Sequence, residues 1–108
     1  MKLASASLAA GVVTALYTVP AGKQAIVTVA LCNRGAASAK IRVALTNGAA
    51  PTDADWIEYD TPLPAAGGSG GSVLERTGLS LGAGQQIHVH ATTAAVSATV
   101  HGLEQAVA

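Results

Sequence analysis

The chain has 108 residues, a formal net charge of zero and one cysteine, Cys32. This length allows a single domain, the balanced charge excludes a strongly basic nucleic-acid-binding surface, and a lone cysteine excludes an internal disulfide. Half of the residues are hydrophobic, but 24 of them are alanine and only 3% of the chain is aromatic. Because so few large side chains are available for a core, we expect the domain to gain stability by self-association.

The stretch from residue 3 to residue 19 carries no charge, so it could be a secretory signal peptide or a strand. Serine and threonine interrupt it too often for a transmembrane helix, and we expect no membrane association. Residues 12–19 alternate between two faces, which is typical of a strand. We therefore interpret this segment as part of the folded domain.

Eight strands are predicted along the chain, because β-branched residues alternate with polar ones between Gly, Pro and Asn turns. Alanine also favours helix, but no apolar stripe of 3.6-residue period continues across the Gly and Pro breaks. The sequence thus predicts an all-β single domain over residues 1–108, a β-sandwich of about eight strands, jelly-roll or immunoglobulin-like. The predicted strands are 3–8, 12–19, 24–32, 39–46, 55–59, 72–76, 86–92 and 95–101.

The large aliphatic residues of these strands define the expected core. The segment 25–32 is apolar on both faces, which indicates a strand in a central position. The Gly-rich segment at about 65–72 is predicted to be a mobile loop, because only 36 residues follow it and these are too few for a second core. The expected core is Leu16, Val27, Val29, Leu31, Ile41, Val43, Leu45, Ile87, Val89, Val96 and Val100.

A His-x-His pair, His88 and His90, is the sharpest motif of the chain. Residues i and i+2 of a strand share a face, and two imidazoles on one face can form half of a metal site. His101, on a neighbouring predicted strand, is a candidate third ligand. The alternative is that these histidines lie on a solvated or subunit-facing surface, and we expect this alternative, with no bound metal and no cofactor.

Four of the six acidic residues lie between residues 53 and 60, beside Trp56 and Tyr59. The spacing does not fit a calcium-binding EF-hand, and three aromatic residues in the whole chain are too few for the cleft of a glycoside hydrolase. We expect an exposed edge strand anchored by Trp56 and Tyr59, whose acidic side chains block unwanted strand pairing. No nucleophile elbow, phosphate loop or dinucleotide-binding motif is present, and we expect no enzymatic activity.

The order of motifs resembles that of a protein family. A Tyr-Thr-Val-Pro-Ala-Gly-Lys sequence at 17–23 leads into an apolar strand that ends at Leu-Cys-Asn-Arg-Gly, and Trp-Ile-Glu-Tyr-Asp at 56–60 and Leu-Glu-Arg-Thr-Gly at 74–78 follow. Over roughly residues 14–102 this is similar to the small β-sandwich structural proteins of tailed bacteriophages, which are capsid decoration or cement proteins and neck or tail fibre modules.

The resemblance implies a non-enzymatic virion component, assembled in the host cytoplasm, that binds other virion subunits such as major capsid, neck or tail proteins. We expect a homo-oligomer, with a trimer favoured, and no nucleic-acid partner. One alternative is a secreted or surface β-sandwich module that binds carbohydrate or protein. The other is a cupin-like metal-binding protein, because Gly82 precedes the His pair as in the first cupin motif. The candidate interface residues are His88, His90, Thr99, His101, Trp56 and Tyr59.

Overall fold

A computed structural model describes residues 1–68 and 70–107, and it confirms an all-β chain of eight strands in two antiparallel sheets. No helix in these residues is long and apolar enough to cross a membrane. The strands are β1 (Lys2–Ser7), β2 (Thr14–Thr18), β3 (Lys23–Asn33), β4 (Ala39–Thr46), β5 (Trp56–Leu63), β6 (Val73–Leu81), β7 (Gln86–Ala91) and β8 (Val96–Ala106).

The two sheets have four strands each, in the orders β1-β8-β3-β6, here sheet I, and β2-β7-β4-β5, here sheet II. Strand β1 pairs with β8, β2 with β7, β3 with β6 and β4 with β5. The chain is therefore a long hairpin of four strand pairs, folded back between β4 and β5 and rolled into two layers. Of the two predicted sandwich types, this order matches the jelly roll, which has eight strands in two sheets.

The core lies between the two sheets and is formed by alternate side chains along the central strands. Nine of the eleven predicted core residues are buried there, while Leu16 and Leu45 are only partly buried and pack against its edge. Strand β2 departs from regular pairing after Ala15, so Tyr17 and Val19 are the buried residues of this segment. The wrong assignment of Leu16 follows from that irregularity, which shifts the alternation by one residue.

Strand β3 is central in sheet I, as predicted, but only one of its faces is buried. Its odd-numbered residues from Ala25 to Leu31 are in the core, whereas Ile26, on the opposite face, is 61% exposed. The smallest dimension of the molecule is 19 Å. This is the thickness of two sheets about 10 Å apart with their side chains. Both outer faces of the sandwich are therefore open to solvent in the single chain.

The Gly-rich segment connects β5 and β6, and residue 69 within it lies outside the described residues. Near its start the amide of Ala66 donates to the carbonyl of Gly35, and at its end the carbonyl of Ser72 accepts a hydrogen bond from the amide of Asn33. The connection between two strands agrees with the predicted loop position, and its mobility stays a prediction.

Candidate functional site

The outer face of sheet II carries a group of charged and aromatic side chains. Along β4 and β7, one set of side chains points into the core and the alternate set points outward. Arg42 is paired with His90, and Ala44 with His88, on the outward side. Trp56 of the edge strand β5 lies opposite Ala44 on this side. We call this surface the aromatic face; its members are Lys40, Arg42, Trp56, Tyr59, Asp60, His88 and His90.

Arg42 is the centre of the aromatic face. Its guanidinium carbon lies 3.9 Å from the centroid of the Tyr59 ring and 5.9 Å from that of Trp56. Both distances are within the range of cation–π attraction. The two rings meet edge to face, with centroids 5.6 Å apart and planes at 70°. The guanidinium thus holds both aromatic side chains against one side of the sheet.

Asp60 fixes the other end of this cluster. Its carboxylate accepts a hydrogen bond of 2.7 Å from Nε of Arg42. That hydrogen bond, more than any other interaction, holds the pKa of Asp60 below its ordinary range and raises that of Arg42. Asp60 has a φ of 51°, the only non-glycine residue among the described ones with a positive φ. This backbone conformation interrupts the regular pairing of β5 and brings Tyr59 and Asp60 onto the same guanidinium.

His88 is buried although it belongs to the outward-pointing set. Its side chain is 6% exposed, and its Nε2 lies 2.9 Å from Oε1 of Gln86. Burial lowers the pKa of His88, and the weaker influence of the nearby Asp55 carboxylate opposes that shift. His88 is therefore a neutral imidazole at pH 7, packed into the sheet surface rather than free to bind a ligand.

His90 is half-buried beside Arg42 in the next strand. Its Nδ1 atom is shielded from solvent and has no hydrogen-bond partner among the described residues. The ring lies on the sheet surface next to the Arg42 cluster. Among residues 1–68 and 70–107, no group of three His, Cys, Asp or Glu side chains is placed to hold a metal ion.

The predicted interface residues divide between two surfaces. His88, His90, Trp56 and Tyr59 belong to the aromatic face of sheet II, while Thr99 and His101 lie on β8 in sheet I. Thr99 and His101 point outward, because the residues that alternate with them on β8, Ala98 and Val100, are fully buried. The expectation that His101 lies on a strand neighbouring that of His88 and His90 is therefore wrong, because β7 and β8 belong to different sheets.

The second half of the acidic segment forms an edge strand, because Glu58 and Asp60 lie on β5, the last strand of sheet II, whereas Asp53 and Asp55 lie in the turn before it. Three of the segment's four carboxylates have separate partners within the chain. Glu58 pairs with Arg76 at 2.8 Å and accepts a hydrogen bond from Thr61, while Asp55 accepts hydrogen bonds from Thr52. Together with the pairing of Asp60 described above, these contacts divide the acids among three places rather than gathering them around one ion.

Sequence reasoning missed three members of the aromatic face, Lys40, Arg42 and Asp60. Arg42 alternates with the core residues Ile41 and Val43, which places it outward, but nothing in the pattern shows that β5 folds beside it. Comparison with protein-family models, curated proteins and solved structures gives no match to this chain. The two outer faces of the sandwich are therefore the features of this chain that bear on its function.

Proposed function

We propose that the protein is a non-enzymatic structural component of a bacteriophage virion that binds other virion subunits through the aromatic face. The observation that carries this proposal is the cluster of Arg42, Trp56 and Tyr59. Tryptophan, tyrosine and arginine are the residue types that contribute most to binding energy at protein interfaces. In a chain with one tryptophan and two tyrosines, two of the three are placed together on an outer face.

The shape of the cluster favours a protein partner. The guanidinium already covers part of the Tyr59 ring. Tyr59 is nevertheless 56% exposed, so a partner would bury substantial apolar area on this side chain. Neighbouring charges of both signs, Lys40 and Asp53, can set the orientation of a partner at the rim.

The virion setting rests on the sequence resemblance to tailed-bacteriophage structural proteins. The eight-stranded sandwich agrees with it, and jelly rolls occur in viral capsid proteins, although they also occur in lectins and cupins. A shared fold is an analogy and does not establish a function. The partners in this setting are major capsid, neck or tail proteins, and assembly takes place in the host cytoplasm.

A second candidate is carbohydrate binding by a secreted or surface module. The observation that favours it is an open depression next to the cluster, lined by Asp53, Trp56 and Tyr59. An acid beside two aromatic rings can contact the hydroxyls and the apolar face of a sugar. Against it, the two rings lie at 70° to each other and do not form one flat platform for a sugar ring.

The test is incorporation into particles of a phage whose genome carries this gene. We expect mass spectrometry of purified particles to find the wild-type chain in many copies. The double substitution Trp56→Ala and Tyr59→Ala should reduce incorporation at least tenfold while the circular dichroism spectrum stays that of a β-protein. Thr77→Ala, an exposed position on β6 of the other sheet, is the matched control and should be incorporated normally.

Two results would overturn the proposal. If the wild-type chain is absent from purified particles, the virion assignment is wrong. If the double variant is incorporated like the control, the aromatic face is not the binding surface. Binding of the wild type to a glycan array, lost in Trp56→Ala, would establish the carbohydrate candidate instead.

A further inference from the structure

The outer face of sheet I has a composition opposite to that of the aromatic face. Its two central strands, β3 and β8, present five outward cross-strand pairs, and none of the ten side chains is Asp, Glu, Lys or Arg. We call this surface the neutral face. Its pairs are Gln24 with Gln105, Ile26 with Leu103, Thr28 with His101, Ala30 with Thr99, and Cys32 with Ser97.

Large aliphatic side chains lie exposed within the neutral face. Ile26 and Leu103 are directly opposite each other on adjacent strands, and they are 61% and 51% exposed. A shallow depression beside them is also lined by Gln24, Ser80 and Gln105. The side chains around the aliphatic pair are short or uncharged, so another flat surface can approach closely.

We propose that the neutral face packs against the same face of a second copy of this chain, forming a two-fold, sheet-on-sheet dimer. A two-fold contact places each surface against itself, so a face with net charge would repel its copy, whereas an uncharged one does not. Packing of two sheet faces at about 10 Å is also the way in which the sheets of a sandwich bury their inner sides. This inference is independent of the virion assignment.

The size of the face is sufficient for a stable dimer. The two central strands have 11 residues each, and the edge strands β1 and β6 have 6 and 9. With about 3.3 Å per residue and strands about 4.8 Å apart, the face measures about 590 Å². Two such faces bury about 1,200 Å² in total, at the lower end of the usual range of about 1,200–2,000 Å² for specific interfaces.

Charged side chains on the two edge strands of sheet I can pair between copies across one particular two-fold axis. Lys2 on β1 is paired with His101, and Glu75 on β6 is paired with Ala30, so both point outward on opposite edges of the sheet. A two-fold axis parallel to the strands places β1 of one copy over β6 of the other. Lys2 then faces Glu75 of the second copy with an offset of two residues, about 7 Å, along the strands.

The symmetric pair of rim contacts fixes the register of the dimer. At the other end of β1, Arg34 donates a hydrogen bond to the hydroxyl of Ser7. In the two-fold dimer this end of β1 lies over the end of β6 that begins with the apolar Val73 of the second copy. Because identical faces satisfy each other, the assembly closes at two copies. We therefore infer a dimer in place of the trimer that composition favoured.

The first test is sedimentation of the isolated protein at tens of micromolar, pH 7.5. The wild type should be a dimer, and Ile26→Glu should raise its dissociation constant at least 100-fold, because each copy would bury a carboxylate in the aliphatic part of the interface. Val12→Glu is the matched control: Val12 is 50% exposed but lies in the turn between β1 and β2, and this variant should stay dimeric.

The second test concerns the rim, where no side chain is buried by the substitution. Lys2→Glu and Glu75→Lys should each weaken the dimer, and the two together should restore it, because the exchanged charges face each other again. The thiol of Cys32, on the neutral face, gives an independent measure. It should react with a maleimide several-fold more slowly in the wild-type dimer than in the Ile26→Glu variant.

A monomeric or trimeric wild type would overturn the proposal. It would also fail if Ile26→Glu dimerises like the control, or if Trp56→Ala abolishes the dimer, which would place self-association on the aromatic face. A wild-type dimer that never enters phage particles would reject the proposed virion role and leave this inference standing.

Discussion

The hydroxyl of Tyr17 donates a 2.5 Å hydrogen bond to the carboxylate of Glu104, joining strand β2 of one sheet to β8 of the other. Tyr17 is the aromatic residue that belongs to the core, 7% exposed. Burial, and then the carboxylate of Glu104, raise the pKa of the Tyr17 hydroxyl above its ordinary range. The hydroxyl therefore remains a donor throughout the physiological pH range and connects the two layers.

Removal of that donor should destabilise the protein. For Tyr17→Phe we expect the free energy of unfolding in urea to fall by about 1.5–3 kcal/mol, the typical loss for a hydrogen bond to a charged group. Tyr59→Phe is the control, because that ring is 56% exposed, and it should change stability by less than about 0.5 kcal/mol. Equal effects of the two substitutions would show that the inter-sheet bond contributes little.

The positions of all eight strands could be predicted from the alternation of β-branched residues, but the ends of three could not. Strands β5, β6 and β8 continue to residues 63, 81 and 106, past Pro62, Gly78 and Gly102. Proline and glycine ordinarily end strands. Here Pro62 lies on an edge strand, where a missing amide hydrogen is tolerated, and Gly78 lies beside an irregular step in the pairing of β3 with β6.

The side chain of Asn33 is fully buried, although the sequence places this residue in a turn motif. It links the connection that follows β3 to the end of β5. Its side-chain nitrogen donates to the carbonyls of Ala37, Leu63 and Pro64 at 3.0–3.2 Å, and its side-chain oxygen accepts from the amide of Gly35. Aspartate has the same shape but no donor, so Asn33→Asp would direct a carboxylate at three carbonyl oxygens.

We expect Asn33→Asp to lower the free energy of unfolding by about 3 kcal/mol or more, as for other unpaired buried charges. Asn47→Asp is the matched substitution. Asn47 is exposed, and its side-chain oxygen accepts a hydrogen bond from Gln85, which aspartate can also do. Urea unfolding of both variants at pH 7 measures the difference, and a small effect at position 33 would mean that the buried amide network is not needed.

The buried imidazole of His88 predicts a pH dependence of stability. Its pKa is lowered in the folded protein, so the unfolded chain binds a proton at higher pH than the folded one. The folded protein keeps the full stability that depends on this group above about pH 6.5, which is the ordinary pKa of histidine. It loses that stability as pH falls through the lower pKa that His88 has in the folded state. Between pH 7.5 and pH 5 the melting temperature should therefore decrease.

His88→Gln should remove most of that decrease. His101→Gln, an exposed position on the other sheet, is the control and should retain it. Thermal unfolding at low micromolar protein separates this effect from self-association. A wild-type melting temperature that is constant over this range would contradict a lowered pKa for His88.

The candidate site was only partly predictable, for reasons visible in two residues. Trp56 and Tyr59 were expected at an interface because large aromatic side chains are rare in this chain and lie on a predicted edge strand. Their contact with Arg42 depends on the positive φ of Asp60, a backbone state that no local pattern at an aspartate indicates. The grouping of the histidines failed because β7 and β8, adjacent in the sequence, belong to different sheets.

Gly102 tests the close pairing of β3 and β8, on which the neutral face depends. A Cβ atom at this position would lie 2.2 Å from the carbonyl oxygen of Ile26 and 2.8 Å from Cα of Val27, both backbone atoms. Gly102→Ala therefore requires the two strands to separate, and we expect a loss of about 3 kcal/mol or more in unfolding free energy. In Gly78→Ala the Cβ would meet nothing within 4 Å, and only its φ of 68° opposes alanine. That control should lose about 1–2 kcal/mol.

Because separation at residue 102 displaces Ile26 from Leu103, Gly102→Ala should also weaken self-association, whereas Gly78→Ala should not. Equal stability of the two variants would show that β3 and β8 do not approach so closely.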